Sequence, residues 1–184
     1  MEKSEKREEL NQILSCTVSW IENCDSKSSI ILGCIGVIAG ILMASDYISK
    51  FVTIFKSFTT KITFGSVIYL FLTGVSLCAV AVGCLFLLWV LVAKINPKEF
   101  EGKGVRTDSL LFFTSIANNK TIHDYKMKLK SMKDDALEDD LISQIYICSI
   151  ICSKKFKRYK IGLLLSALGS ISFAIMIIIG IIVM

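Results

Sequence analysis

Positively charged side chains are the groups in this sequence whose type and spacing best suit binding chemistry. In one cluster Lys126, Lys130 and Lys133 are three or four residues apart and so share a helix face, with Lys120 and Lys128 nearby. In a second, "SKKFKRYK", the cations alternate with aromatic rings that could stack on bases. Because cations neutralise phosphates, we predict that an anionic nucleotide or oligonucleotide binds here. The candidate residues are Lys120, Lys126, Lys130, Lys133, Lys154, Lys155, Lys157 and Arg158.

The second cluster also has a purely structural interpretation. It ends against an apolar run that reaches Met184. Long basic side chains at such a boundary hold a membrane helix in place by reaching lipid headgroups. Both interpretations use the same residues, so the pattern alone leaves them open.

Residue patterns for catalysis or metal binding are absent from the sequence. It has no GxSxG, no P-loop, no HExxH and no glycine-rich dinucleotide turn. A solvated surface residue is the favoured interpretation of His123, the single histidine, and the seven cysteines form no CxxC pair. The acidic run at 134–140 lacks the EF-hand glycine and final glutamate, so we interpret it as a charged helix start. We therefore expect no catalytic residue, no metal, no cofactor and no enzymatic activity.

Three uncharged apolar runs dominate the chain, at 28–45, 62–93 and 161–184. Hydrophobic residues make up 53% of the sequence, more than a soluble domain needs for its core. A bilayer's hydrocarbon core of about 30 Å is crossed by roughly 20 helical residues. The sequence thus predicts a membrane protein with three spans. None of these runs carries Asp, Glu, Lys, Arg or His, which argues against a proton-coupled or ion-coupled carrier.

The distribution of lysine and arginine predicts the orientation. Residues 1–27 hold four, 46–61 hold three and 94–160 hold fourteen. Because basic segments stay on the cytoplasmic side, we expect the N-terminus and 94–160 to be cytoplasmic and the C-terminus external.

An all-α membrane fold with a small helical cytosolic module follows from these patterns. We predict a cytosolic amphipathic helix at 1–24, spans at 28–46, 64–93 and 161–184, an external segment at 47–63 and the module at 94–160. Asp25 or Ser26 is expected to cap the first span, and Pro97 to end the second. From Ala136 an i+4 apolar seam with no glycine or proline before Gly162 predicts one helix running from the module through the last span.

Small residues in the spans predict close helix packing or a pore. Ser29, Gly33, Gly36, Gly40 and Ala44 form a stripe along the first span. Such a stripe lets two membrane helices approach closely, within one chain or between copies in a homo-oligomer. Polar positions that could line a path through the bilayer are Thr73, Ser76, Ser166 and Ser170.

The order of several segments resembles the membrane effector domain of Pycsar-type bacterial antiphage systems. These are "CDSKSSIILGCIGVI", "LLFFTSIAN", "IHDYKMKL" and "QIYICSIICSKKFKRYK". The resemblance extends from about Asp25 to the third span and rests on Asp25, Lys27, Gly33, Pro97, Phe112, Phe113, Ile116, Tyr125, Gln144, Tyr146 and Lys155. It implies a protein of the bacterial inner membrane that is quiet until a nucleotide signal from a partner cyclase or nucleotidyltransferase changes, and then damages the membrane and arrests the infected cell.

Two functions follow as expectations. The first is an antiphage effector that acts as a nucleotide-gated, homo-oligomeric pore or membrane-disrupting protein in abortive infection. The ligand would be a cyclic mononucleotide, a cyclic dinucleotide or a linear oligonucleotide, read by the 94–160 module or by a partner protein. The second is a non-conducting membrane anchor that recruits a cytosolic partner.

Overall fold

Six α-helices make up the part of the chain that the computed structural model describes, which is residues 3–44, 47–60, 63–92, 100, 104–106 and 109–183. They are α1 Lys3–Ala44, α2 Tyr47–Thr60, α3 Phe64–Leu91, α4 Phe113–Ala117, α5 Ile122–Ser131 and α6 Asp134–Val183. These described residues include no strand, so the predicted all-α class is confirmed. Helices α1, α3 and α6 are each long and apolar enough to cross a membrane, as the three-span prediction requires.

The chain divides into two compact units. The first takes Met1–Asn23 and Ala93–Lys155, and the second takes Cys24–Val92 and Phe156–Met184. We call them the polar unit and the apolar unit, because α4, α5 and the acidic start of α6 belong to the first and nearly all of the three uncharged runs to the second.

The predicted break between an amphipathic helix and the first span is wrong. Helix α1 continues from Lys3 to Ala44 through Asp25 and Ser26, so neither residue caps a new helix. The segment has no proline and no glycine before Gly33. In addition, the hydroxyl of Ser28 donates a 2.9 Å hydrogen bond to the carbonyl of Cys24, one turn earlier in the same helix. This polar side chain is therefore satisfied without ending the helix.

Helix α6 is continuous from Asp134 to Val183, as the apolar seam predicted. Its start is acidic, which suits the positive end of a helix dipole. Along the seam Leu141 and Cys152 are buried, whereas Phe156 is exposed. The region of α6 before Gly162 contains no glycine or proline, the residues that most often interrupt helices. One helix therefore contributes residues to both units.

Close contacts at glycines hold α3 against α6 within the apolar unit. A Cβ atom added at Gly83 would lie 2.5 Å from the backbone nitrogen of Ser166, and one at Gly169 would lie 2.8 Å from that of Val80. Membrane helices associate through such close backbone packing, because lipid tails are as apolar as leucine. Glycine at these positions is thus required by the separation of the two helices.

Helix α2 packs through aromatic side chains on the same unit. The ring of Phe58 stacks on that of Tyr69 with centroids 4.3 Å apart. The Tyr69 hydroxyl donates a 3.0 Å hydrogen bond to the carbonyl of Met176, so its polar end is satisfied. Ile54, Tyr69 and Met176 form the buried cluster where α2, α3 and α6 meet.

The segment after α3 is described only in part. Helix α3 ends at Leu91, and Pro97 lies outside the described residues, as does Gly102. Gly104 has φ +69°, a left-handed conformation that glycine adopts without strain. The backbone at Gly104 is therefore not helical.

Candidate functional site

A polar cleft in the polar unit is the candidate functional site. Its volume is about 400 Å³, within the range of roughly 300–1,000 Å³ typical of small-molecule pockets. It lies between α4, α5 and the first turn of α6. The residues that line it are Arg106, Ser109, Leu110, Ser115, Asn119, Lys128, Ser131, Met132, Lys133 and Ala136.

Three cations from three different parts of the unit line this cleft. Arg106 donates from Nη1 to the carbonyl of Ala136 at 2.7 Å, which ties its loop to the start of α6. Lys128 donates from Nζ to Oδ1 of Asn119 at 2.7 Å. Lys133 precedes α6 and is exposed. Together with the hydroxyls of the wall, these groups offer the donors that phosphate oxygens accept.

The orientation of α5 is fixed at its first turn. The side chain of Thr121 accepts a hydrogen bond from the backbone of Asp124, and the Asp124 carboxylate accepts one from the backbone of Thr121. These two hydrogen bonds form a capping box. One residue further on, the Tyr125 hydroxyl donates to the carbonyl of Leu110 at 3.1 Å. This contact joins α5 to the loop that forms another wall of the cleft.

A buried polar cluster fastens the cleft loop to α6. Oδ2 of Asp140, a fully buried residue, accepts a 2.8 Å hydrogen bond from the backbone of Leu110. The Ser109 hydroxyl accepts from the backbone of Leu111 and Phe112 and from the amide of Gln144 at 3.1 Å. Two residues that line the cleft are thus held directly by α6.

An ion pair joins the beginning of α1 to α6 in the same unit. Nζ of Lys6 lies 2.6 Å from Oε2 of Glu138, which is buried. The hydrogen bond and the negative charge of Glu138 raise the pKa of Lys6 above 10.5, its ordinary value. Lys6 therefore remains positively charged at physiological pH.

Of the four predicted ligand residues in the first basic cluster, the cleft includes Lys133. Lys120, Lys126 and Lys130 are exposed on the same unit but are not among the described residues that line it. Arg106 and Lys128 were not candidates. Lys128 lies close in sequence to the residues of the predicted lysine face. Arg106 lies in a loop, where the sequence has no helical periodicity from which a binding role could be predicted. Only the folding of the loop onto α6 brings Arg106 to this site.

The second basic cluster does not form one exposed surface. Lys154 and Lys157 are exposed, whereas Lys155 is only 7% exposed. Arg158 is half-buried, and its Nη1 lies 3.4 Å from the carbonyl of Trp89. Their different surroundings favour separate roles for these four residues.

Three of the predicted pore or packing positions are buried between α3 and α6. Thr73, Ser76 and Ser166 are at most 3% exposed, and each hydroxyl donates to a carbonyl of its own helix. Ser170 is exposed. At Gly33, Gly36 and Gly40 an added Cβ would meet nothing within 4 Å, so within one chain this stripe has no close neighbour in the described structure.

No group of three or more His, Cys, Asp or Glu side chains that could hold a metal occurs in the described ranges. None of the seven cysteines, all of which lie in the described ranges, forms a disulfide.

The fold and the cleft together define a class: a helical membrane protein with a charged unit that presents a polar cleft. A family model described as the Pycsar effector protein domain matches residues 9–183. The chain belongs to this family of transmembrane antiphage effectors, in agreement with the resemblance noted in the sequence. It is similar to the Pycsar effector protein GmPycTM of Gulbenkiania mobilis, with 31% identity over 170 residues that cover 88% of this chain and 86% of that protein. No solved structure matches.

Proposed function

We propose that this protein is a signal-gated effector that binds a phosphorylated nucleotide in the polar cleft and then permeabilises the membrane. The observation that carries the proposal is the convergence of Arg106, Lys128 and Lys133 on one cleft of about 400 Å³. A cavity of this size with hydroxyl and amide groups between the cations suits a compact nucleotide. We favour this over a long oligonucleotide, which would need an extended basic groove.

The contacts of the cleft provide a route from ligand to membrane. The lining residues Arg106, Ser109 and Leu110 are bonded to α6 at Ala136, Gln144 and Asp140. A ligand that binds one arrangement of this loop better than another shifts the equilibrium between them. Because α6 continues as the last span, we propose that it carries this change to the bilayer.

The membrane action is proposed to need several copies of the chain. Of the 18 consecutive residues that make up the most apolar part of the first span, only 6% are buried within one chain. The small-residue stripe at Gly33, Gly36 and Gly40 is open to a neighbour. Since Thr73, Ser76 and Ser166 are used inside the subunit, a path for ions would run between subunits along other residues.

Charge reversal at one cleft lysine tests ligand binding. We expect Lys133→Glu to weaken the binding of the active nucleotide at least tenfold, because a carboxylate repels phosphate across the cleft. Purified protein in nanodiscs would be titrated calorimetrically with cyclic mononucleotides, cyclic dinucleotides and short linear oligonucleotides. The effect should weaken at high salt.

Lys126→Glu and Lys130→Glu are matched controls, since they make the same charge change outside the cleft lining. Equal losses for all three variants would contradict the assignment of the cleft. For function, a membrane-potential dye would follow cells that also make the nucleotide. If depolarisation never depends on the nucleotide synthase, the anchor alternative is favoured instead.

A further inference from the structure

An apolar groove on the apolar unit lies far in sequence from the polar cleft and has no part in the proposed function. It is formed by the end of α1, the first half of α2 and the last turns of α6, and its volume is about 190 Å³. Its lining consists of Leu42, Met43, Ile48, Lys50, Phe51, Ile54, Phe173, Ile177 and Ile181. Eight of these nine side chains are apolar, and the ninth is a lysine.

The floor of the groove is built from well-packed side chains. Ile54 is 4% exposed. The rings of Phe51 and Phe173 are in contact with centroids 5.9 Å apart. Gly180 lets α6 approach closely, since a Cβ there would lie 3.0 Å from a methyl group of Ile54. By contrast, Met43 and Ile181 on the rim are exposed, so the groove is open on one side.

The surroundings and charge of the groove specify its occupant. The helices that form it include two of the three candidate spans, so we expect its open side to face lipid in a bilayer. A volume of about 190 Å³ is below the range of roughly 300–1,000 Å³ that encloses a compact ligand, but a groove can hold a segment of a flexible chain. Lys50 supplies one ammonium at the wall, and an ammonium pairs with phosphate.

We propose that this groove binds a phospholipid, with an acyl chain against Ile54 and Ile177 and the anionic headgroup phosphate at the amine of Lys50. The inference rests on the membrane location of the chain and is independent of nucleotide gating. The bound lipid would cover apolar side chains of α1, α2 and α6 together and so stabilise the junction of α2 with the spans.

The test uses the full chain, purified from bacterial membranes in mild detergent without added nucleotide. Retained phospholipid per subunit is measured by mass spectrometry for the wild type, Lys50→Gln and Lys56→Gln. Lys56 is the matched control, because it lies on the same helix outside the groove lining. We expect Lys50→Gln to reduce retained anionic phospholipid at least threefold and Lys56→Gln to leave it unchanged. Equal values for both variants would overturn the headgroup assignment.

A second pair of variants tests the apolar part without changing charge. Ile177→Trp should fill the groove and displace the lipid, while Ile178→Trp, at an exposed position next to it, should not. Circular dichroism and gel filtration show whether each variant is folded. Unchanged lipid retention in a folded Ile177→Trp protein would overturn the proposal. So would an altered subunit number with unchanged lipid, which would mean that a second copy covers the groove.

Discussion

At the scale of single residues, Asp140 is the most constrained polar group of the polar unit. It is fully buried, its Oδ2 accepts from Leu110, and its Oδ1 has no hydrogen-bond partner in the described structure. A buried carboxylate is costly unless its oxygens are satisfied. Its bond to Leu110 thus fixes the position of the cleft loop at a cost in stability.

Removal of this carboxylate should loosen the loop. We expect Asp140→Ala to destabilise the protein by about 1–3 kcal/mol, because the backbone N–H of Leu110 loses its buried acceptor. Asp140→Asn should cost less, since the amide oxygen can still accept from Leu110. Thermal unfolding in detergent, followed by circular dichroism, measures both. Asp139→Ala is the control at an exposed neighbour, and a loss as large as that of Asp140→Ala would contradict the explanation.

The Lys6–Glu138 pair gives a pH dependence of known sign. Because the folded-state pKa of Lys6 is raised above 10.5, its contribution is fully present below that unfolded value and is lost as pH rises through the folded pKa. In the wild type we expect the resistance of the α1 start to proteolysis to fall above about pH 10.5. In Lys6→Met, which lacks the ion pair, we expect this resistance to change little over the same pH range. The same pH profile for both proteins would contradict a role of the pair.

At the scale of secondary structure, glycine has two different roles in this chain. At Gly83 and Gly169 it permits contact between α3 and α6, whereas at Gly33, Gly36 and Gly40 an added Cβ is accommodated within the subunit. The spacing of small residues predicted only the second set as a possible interface, because Gly83 and Gly169 lie on different helices. Which set is used inside one chain depends on how the helices pack.

Alanine substitutions separate the two sets. We expect Gly83→Ala to destabilise the subunit by about 1–3 kcal/mol through overpacking against Ser166. Gly36→Ala should leave subunit stability unchanged or slightly higher, because alanine favours helix. Thermal unfolding in detergent distinguishes them. An equal loss for Gly36→Ala would show that its face is already packed in the monomer.

A larger side chain on the open stripe tests assembly. Gly36→Leu should keep the helix content but reduce the mass of the complex measured by native mass spectrometry or light scattering, because the stripe would no longer allow close approach. Val37→Leu, at a neighbouring exposed position, is the control that places leucine on another face of the same helix. An unchanged mass for Gly36→Leu would place the subunit contact elsewhere.

At the scale of the whole molecule, an odd number of spans puts the two termini on opposite sides of the membrane. The three candidate spans and the fourteen basic residues of 94–160 predict a cytoplasmic N-terminus and an external C-terminus. In spheroplasts, antibody should bind a C-terminal epitope tag directly and an N-terminal tag only after permeabilisation. Binding to both tags without permeabilisation would contradict the three-span arrangement.

The division between what could be predicted and what could not follows from the range of the interactions. Span number, helix class, the capping box of α5 and the continuity of α6 were predictable, because hydrophobic length, a three-residue cap and the absence of helix-breaking residues are local properties. The uninterrupted α1 was not, since capping residues such as Asp25 permit a helix start without requiring one. The cleft depends on contacts between Arg106 and Ala136 and between Leu110 and Asp140, each 30 positions apart. The periodicity of the sequence does not indicate which residues so far apart come into contact, because these contacts form only when the loop packs on α6.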